Sequence, residues 1–325
     1  MIKRIAAVAL AVLGLFVVAA PVPAQDYPNR TVTIVVPYPA GGPTDQLARV
    51  IAEALSKKFG ESFIVENVTG GSTIIASNKV AKAAPDGYTL LLHNLQISAN
   101  PALFKSLPFD TLKDLKTVIM INRNPLVWVG RPGLAPNSFK DLMALMKKER
   151  LKEALPGFGT TGHLTSRLFA QETKLKFDEV PYRGGAPAVT DVLGDHVDFM
   201  IGTPQQMMPL VKAGKLKAYA VTQKGKMPEF PTADSMADLL GPKFAIFYWQ
   251  GMFAPSGTPD AVIKKLNAAV NEVANDPVIL KTWHDTGVVA FPSDMRTPAA
   301  GEKYLKSEMA RWAQVIKDND IHVNQ

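Results

Sequence analysis

Apolar positions in this chain recur in two patterns, short β-branched runs and stripes of helical period, and the two alternate along it. Thr31 to Tyr38 (TVTIVVPY) is a β-branched run that predicts a buried strand. Pro39-Ala40-Gly41-Gly42 reads as a tight loop, and Pro43-Thr44-Asp45 opens a helix. There Leu47, Val50, Ile51, Ala54 and Leu55 form one apolar stripe, and Gly60 ends it. The unit repeats as strand Phe63 to Val65, loop Thr69 to Thr73 and a helix from Ile74 to about Ala83. Pro85-Asp86-Gly87 then turns into strand Tyr88 to Leu92.

The middle of the chain keeps the same grammar. Leu126 to Val129 predicts a strand, and Ser138 caps a helix running to about Arg150. Gly157 to Gly162 leads into a helix from His163 to about Gln171. Strand Glu179 to Tyr182, Arg183-Gly184-Gly185 and helix Ala186 to Leu193 follow. Phe199 to Ile201 is a short strand with a helix start behind Gly202-Thr203-Pro204. Lys217 to Thr222 and Phe244 to Phe253 are strands, Thr258-Pro259 starts a helix to about Asn275, and Ala299 to Lys317 is the last helix. Strands alternating with helices predict mostly parallel α/β sheets. We expect two lobes, 25–127 with 247–325 and 128–246.

The first residues stand outside this grammar. Lys3 and Arg4 precede an uninterrupted apolar run from Ile5 to Ala20, and Val22 and Ala24 suit the small-residue positions of a cleavage site. The run of 16 residues falls short of the ~20 that a spanning helix needs. Residues 1–24 therefore read as a secretory signal peptide, with a mature start near Gln25 or Asp26 and export from the cytoplasm.

Composition narrows the chemistry. The 325 residues contain no cysteine, which removes disulfides, thiolate metal sites and a Cys nucleophile. The five histidines (93, 163, 196, 284 and 322) show no metal-binding spacing. Taking Lys3 and Arg4 from the 36 basic residues leaves 34 against 29 acidic ones, a net charge of +5. That excess is scattered, without the clustered patch or reading motif of a nucleic-acid binder.

Four glycine junctions before helices carry the candidate chemistry: Ala40 to Asp45, Gly70 to Thr73, Gly159 to His163, and Gly184 to Pro187. Each presents unpaired backbone N–H groups at a helix start, where the dipole favours an anion. Ser72, Thr73, Thr160 and Thr161 add neutral hydroxyls, and no Lys or Arg occurs within the first three junctions. Gly157 to Gly162 matches GxGxxG literally. A dinucleotide site is discounted because Arg150 to Pro156 reads as charged and Pro-broken rather than as a strand, and because Asp178 and Glu179 lie at a strand start. GxSxG, GxxxxGKS/T and SxxK are absent from the sequence. His163 reads as a hydrogen-bond donor of the pocket, and His93-Asn94 as pointing from a strand end toward the cleft. Tyr248 and Trp249 read as core or hinge packing.

With these residues assembled, the chain resembles the periplasmic solute-binding receptors of tripartite tricarboxylate transporters, the Bug/TctC-like family. The resemblance rests on Thr33 to Asp45 (TIVVPYPAGGPTD), Ala81 to Leu92 (AKAAPDGYTLLL), Val180 to Leu193 (VPYRGGAPAVTDVL), Lys212 to Thr222 (KAGKLKAYAVT) and Trp249 to Thr258 (WQGMFAPSGT). It implies an α/β, two-lobed type II periplasmic-binding-protein fold with a ligand cleft between lobes. It further implies a small organic acid ligand, membrane transporter subunits as partners, a monomer and no cofactor. Carried over residue by residue, the site comprises Tyr38, Pro39, Ala40, Gly41, Gly42, Thr44 and Asp45, then Gly71, Ser72 and Thr73, then Gly159, Thr160, Thr161, Gly162 and His163. His93, Asn94, Thr203 and Gln206 are added. Asn67 to Gly71, His93 to Gln96 and Ile201 to Gln206 depart from the family pattern and are expected to shape the distal pocket.

The expected function is capture of a mono- or dicarboxylate between the lobes, with hinges near Asn124 to Val129 and Trp249 to Ala254. Two alternatives stay open: a periplasmic hydrolase or isomerase using His163 with Asp45, and a receptor that signals through a sensor partner.

Overall fold

The β-branched runs become the strands of two six-stranded sheets, in a computed structural model that describes residues 27–318 together with 320 and 321. The expected signal peptide lies outside the described residues. The first sheet is started by β1 (Val32–Val36), α1 (Pro43–Phe59), β2 (Phe63–Asn67), α2 (Ile74–Ala81), β3 (Thr89–Asn94), α3 (Gln96–Leu103) and β4 (Leu115–Pro125). The second is built by β5 (Val127–Gly130), α4 (Phe139–Met146), β6 (Lys152–Leu155), α5 (Thr161–Thr173), β7 (Asp178–Pro181), α6 (Gly185–Leu193) and β8 (Phe199–Gly202). It is completed by α7 (Pro204–Lys212), β9 (Lys217–Val221), β10 (Asp234–Ser235) and α8 (Met236–Leu240). The chain then returns as β11 (Phe247–Pro255), α9 (Asp260–Val273), α10 (Pro277–Asp285), β12 (Val289–Ala290) and α11 (Pro298–Asp318).

Strand order is β12-β4-β11-β3-β1-β2 in the first sheet and β10-β9-β5-β8-β6-β7 in the second. β1 lies parallel to β2 and β3, and β6 parallel to β7 and β8. The two strands that follow the passages between sheets run against this grain: β5 is antiparallel to β8 and β9, and β11 to β3 and β4. The α/β class is as expected, but the sheets are mixed rather than mostly parallel. Five of the ten strand pairings among the described residues are antiparallel, because each strand that arrives from the other sheet, and β12 beside β4, runs against its neighbours.

β1 is buried on both faces, which is why its apolar run is continuous rather than alternating. Val32, Ile34 and Val36 join Leu47, Ile51, Leu55, Leu266 and Val270 on one side, while Val35 joins a cluster on the other. That second cluster runs from the first sheet into the second, taking in Trp249, Trp312, Trp128, Phe139 and Phe169. The α1 stripe differs from expectation at one position. Val50 is exposed, and Ala48 and Ala52 turn inward instead.

Several elements were hidden by polar residues. β4 carries Thr117, Asn122 and Asn124, all buried, and α3 carries buried Gln96, Ser98 and Asn100 with Pro101 inside. The segment Arg150 to Pro156, expected to lack a strand, contains β6. Its Glu153 is buried, and burial raises its carboxyl pKa well above the ordinary 4.5, so a stretch that looks charged in sequence forms a strand. The return passage also lies earlier than Trp249 to Ala254. β11 is already paired from Phe247, opposite Pro125, so the chain crosses between Leu240 and Phe247. Thr222 ties the two passages together: its hydroxyl accepts from the Leu126 N–H at 2.8 Å and donates to the Ile246 carbonyl at 2.5 Å.

Candidate binding cleft

A cavity of about 350 Å³ opens where the carboxyl ends of the central strands of both sheets face each other. The first sheet contributes Tyr38 to Thr44 after β1, Asn94 at the end of β3, and Tyr248 on β11. The second contributes Pro156 and Thr160 to Gly162 after β6, Arg183 to Pro187 after β7, and Ile201 to Thr203 with Gln205 and Gln206 around the end of β8.

On the first wall, loop geometry comes from Asp45. Gly41, at φ 84°, donates its N–H to Asp45 Oδ2 at 2.8 Å, and Asn67 Nδ2 donates to Oδ1 at 2.9 Å. Arg49 adds Nε and Nη2 at 2.9 and 3.0 Å. Burial pushes the Asp45 carboxyl pKa up, but these hydrogen bonds and the Arg49 charge outweigh it and hold it below the ordinary value. Asp45 is 2% exposed and does not line the cavity: it pins the loop. Above it, Thr44 Oγ1 and Tyr248 Oη are 2.7 Å apart, and Asn94 Nδ2 donates to Tyr248 Oη at 3.2 Å. Burial raises the Tyr248 pKa, so this network is neutral.

On the second wall, Thr160 caps α5, accepting from the His163 N–H at 3.4 Å and donating to the Gly157 carbonyl at 2.9 Å. His163 is 1% exposed, and its Nδ1 accepts from the Gly159 N–H at 3.0 Å. Burial, then the nearby Arg167 charge, lowers its pKa to about 3, so the ring is neutral. It braces the loop from behind and does not line the cavity. A Cβ on Gly162 would sit 2.8 Å from the Ile201 carbonyl oxygen, so only glycine lets α5 start this close to β8. Three polar atoms on this wall are buried without a hydrogen-bond partner: Thr161 Oγ1, Thr203 Oγ1 and Gln205 Oε1. All three belong to residues lining the cavity.

Of the residues expected at the site, the structure brings Tyr38, Pro39, Ala40, Gly41, Gly42, Thr44, Asn94, Thr160, Thr161, Gly162, Thr203 and Gln206 to the cavity wall. Asp45, Gly71, Ser72, Thr73, His93, Gly159 and His163 do not line it. His93 was expected to face the cleft. Its ring is instead fully buried edge-on against Tyr38, with Nδ1 accepting from the Asn94 N–H at 2.8 Å. The Gly71 to Thr73 turn lies beside α3, where Asn100 Nδ2 donates to Thr73 Oγ1 at 2.9 Å. Gln96 Nε2 reaches the Ser72 carbonyl at 3.4 Å and, across the cleft, the Phe158 carbonyl at 3.3 Å. Sequence reasoning missed Tyr248, which splits from its neighbour: Trp249 is core, with Nε1 donating to Glu308 Oε2 at 3.0 Å. It also left Arg183 and Gln205 out, although the glycine junction after Arg183 and the unusual run Ile201 to Gln206 both pointed there.

Against known proteins, the tripartite tricarboxylate transporter family receptor matches residues 47–321. The periplasmic binding protein BugD is similar in structure, 31% identical with a TM-score of 0.85, over 91% of this chain and 100% of that one. A protein of R. palustris, Rpa4515, solved with adipate, is 31% identical with a TM-score of 0.85, over 92% of this chain and 100% of that one. MatC from Rhodopseudomonas palustris, solved with bound malate, is 31% identical with a TM-score of 0.83, over 89% of this chain and 100% of that one.

Proposed function

The chain belongs to the tripartite tricarboxylate transporter receptor family, a family of solute-binding proteins, and from that premise we propose that it takes up a small organic carboxylate between two lobes and delivers it to membrane transporter subunits. The observation that carries this reading is the set of buried, unpartnered polar atoms at the cavity, Thr161 Oγ1 and Thr203 Oγ1 foremost. A buried hydroxyl without a partner costs free energy, and these two belong to residues that line the cavity, beside whatever enters it. Thr161 and Gly162 also open α5, where the first N–H groups have no helical acceptor and the dipole favours negative charge. One carboxylate accepting from these groups meets both requirements, and the adipate and malate of the similar structures support that class.

The lobes of this proposal are 25–127 with 247–325 and 128–246, moving about the passages at Leu126 and Ile246, which Thr222 ties together. A ligand touching both walls favours the closed state by its differential affinity. In this reading the protein works as a monomer in the periplasm, exported by its leader. The ligand leaves unaltered, because His163 and Asp45, the pair a hydrolase or isomerase would need, are each committed to bracing a loop. A receptor that signals through a sensor partner would use the same cavity.

Calorimetry with a panel of aliphatic mono- and dicarboxylates, followed by recovery and analysis of the ligand, tests the proposal. Saturable binding with the acid recovered intact is expected. Product formation, or no binding across the panel, overturns it.

A further inference from the structure

Behind the loop that opens α5 lies a cluster of four titratable side chains that do not line the cavity: Glu153, His163, Arg167 and Glu179. On α5, His163 and Arg167 stand one turn apart and share a face. On the sheet, Glu153 of β6 and Glu179 of β7 are directly opposite in register, which puts both side chains on one face. Arg167 Nη2 donates to Glu179 Oε2. Glu179 Oε1 is buried, has no hydrogen-bond partner among the described residues, and lies 3.8 Å from His163 Nε2. Burial pushes both carboxyl pKa values up, but the Arg167 hydrogen bond goes to Glu179, so the negative charge of the pair stays there.

The neutral His163 ring carries one proton. Because Nδ1 accepts from the Gly159 N–H at 3.0 Å, that proton sits on Nε2. Two groups contend at Nε2. Arg167 Nε, at 3.4 Å, is itself a donor and opposes the Nε2–H, whereas Glu179 Oε1 is an acceptor and favours it. With the proton on Nδ1 instead, the buried Gly159 N–H would face another donor and lose its partner. The loop has little room to find a second one: Gly159 sits at φ 75°, and a Cβ there would come 2.7 Å from Leu103 Cδ1 of α3.

Resting on the binding reading above, we infer that Glu179 is a positioning residue of the cleft. As the acceptor facing His163 Nε2–H, it fixes the ring tautomer that holds the Gly159 N–H, and with it the Thr160 to Gly162 backbone at the cavity wall. An ion pair serving only to tie α5 to β7 would use the same Arg167 and Glu179. The two roles separate because Arg167 supports the ion pair but opposes the tautomer.

Nitrogen NMR of the imidazole rings at pH 7, with His163→Gln to assign the His163 signals, reads the tautomer without any ligand. Calorimetry with adipate, or with whichever acid of the panel above binds the parent most tightly, reads the consequence. The parent should show Nε2–H at His163. Glu179→Ala leaves Arg167 to donate to Nε2, so the ring should shift to Nδ1–H and binding should weaken about five- to tenfold, the scale of one buried hydrogen bond. Glu179→Gln keeps a side-chain oxygen as acceptor and should retain the tautomer and bind within about twofold of the parent. Combining Glu179→Ala with Arg167→Ala removes the ion pair and the competing donor together. There the Nε2–H tautomer should return and binding should recover to within about twofold of the parent. A parent ring protonated at Nδ1, an unchanged tautomer in Glu179→Ala, or a double variant that binds as weakly as Glu179→Ala overturns the inference while leaving carboxylate binding intact. Failure of every acid in the panel to bind the parent overturns the carboxylate reading instead, and the tautomers still decide the role of Glu179.

Discussion

Thr161→Val separates a group kept for a ligand from one kept for the fold. Valine preserves the β-branched shape and removes only the hydroxyl, which is buried in a residue 3% exposed and has no hydrogen-bond partner. A typical buried polar group left unsatisfied costs about 1–3 kcal/mol, and water in the unliganded cavity offsets part of this. The substitution should therefore leave the unliganded protein as stable as the parent or more stable, by up to about 1 kcal/mol, roughly 2–4 °C in Tm. The liganded state moves the other way. Losing one hydrogen bond to a carboxylate should weaken binding by about 1–2 kcal/mol, or roughly five- to thirtyfold in Kd. Urea unfolding without ligand and calorimetry with adipate read the two effects separately. A variant that is less stable than the parent while binding adipate equally well would refute the reasoning, because it would mean that the hydroxyl's partner belongs to the protein.

Other perturbations probe the walls and their bracing. Gly162→Ala drives a Cβ to 2.8 Å from the Ile201 carbonyl oxygen and should cost about 1–3 kcal/mol in urea unfolding; an unchanged midpoint would contradict the close approach of α5 to β8. Gln96→Leu removes the hydrogen bond across the cleft to the Phe158 carbonyl, and small-angle scattering should then show a larger radius without ligand. The same radius as the parent's would mean that this bond does not hold the lobes together. Burial raises the Glu153 pKa well above its ordinary 4.5, so the folded state retains a proton that the unfolded chain releases as pH rises. That contribution is present below about pH 4.5 and is lost above it, by about 1.4 kcal/mol per pH unit, until the folded pKa is reached. Glu153→Gln, which does not titrate, should thus gain on the parent as pH goes from 5 to 8, and a constant difference in unfolding free energy over that range would refute the assignment.

The local sequence determined much of what surrounds the cavity. The run Val32 to Val36 with the turn at Gly41, and the Ser138 and Thr160 caps, are each set by residues within a few positions. Backbone sterics and helix capping act over that range, so their signals survive in a linear reading. Elements whose polar residues are satisfied from a distance were illegible. α3 looks too polar for a core until Gln96 meets Ser72 and Phe158 and Asn100 meets Thr73, and β4 until its backbone pairs with β11 and β12.

Only the tertiary structure decided which glycine junctions face the cavity. Gly70 to Thr73 and Arg183 to Pro187 look alike in sequence, but the first is taken up by contacts with α3 and the second stands at the wall. Direction was equally hidden for His93 and Tyr248. They lie on neighbouring strands, β3 and β11, paired through Asn94 opposite Gln250, yet one ring is sealed in the core and the other lines the cleft. Strand residues alternate between the two faces of a sheet. Which face is core and which is cavity depends on what packs against the sheet, and no local stretch of sequence carries that information.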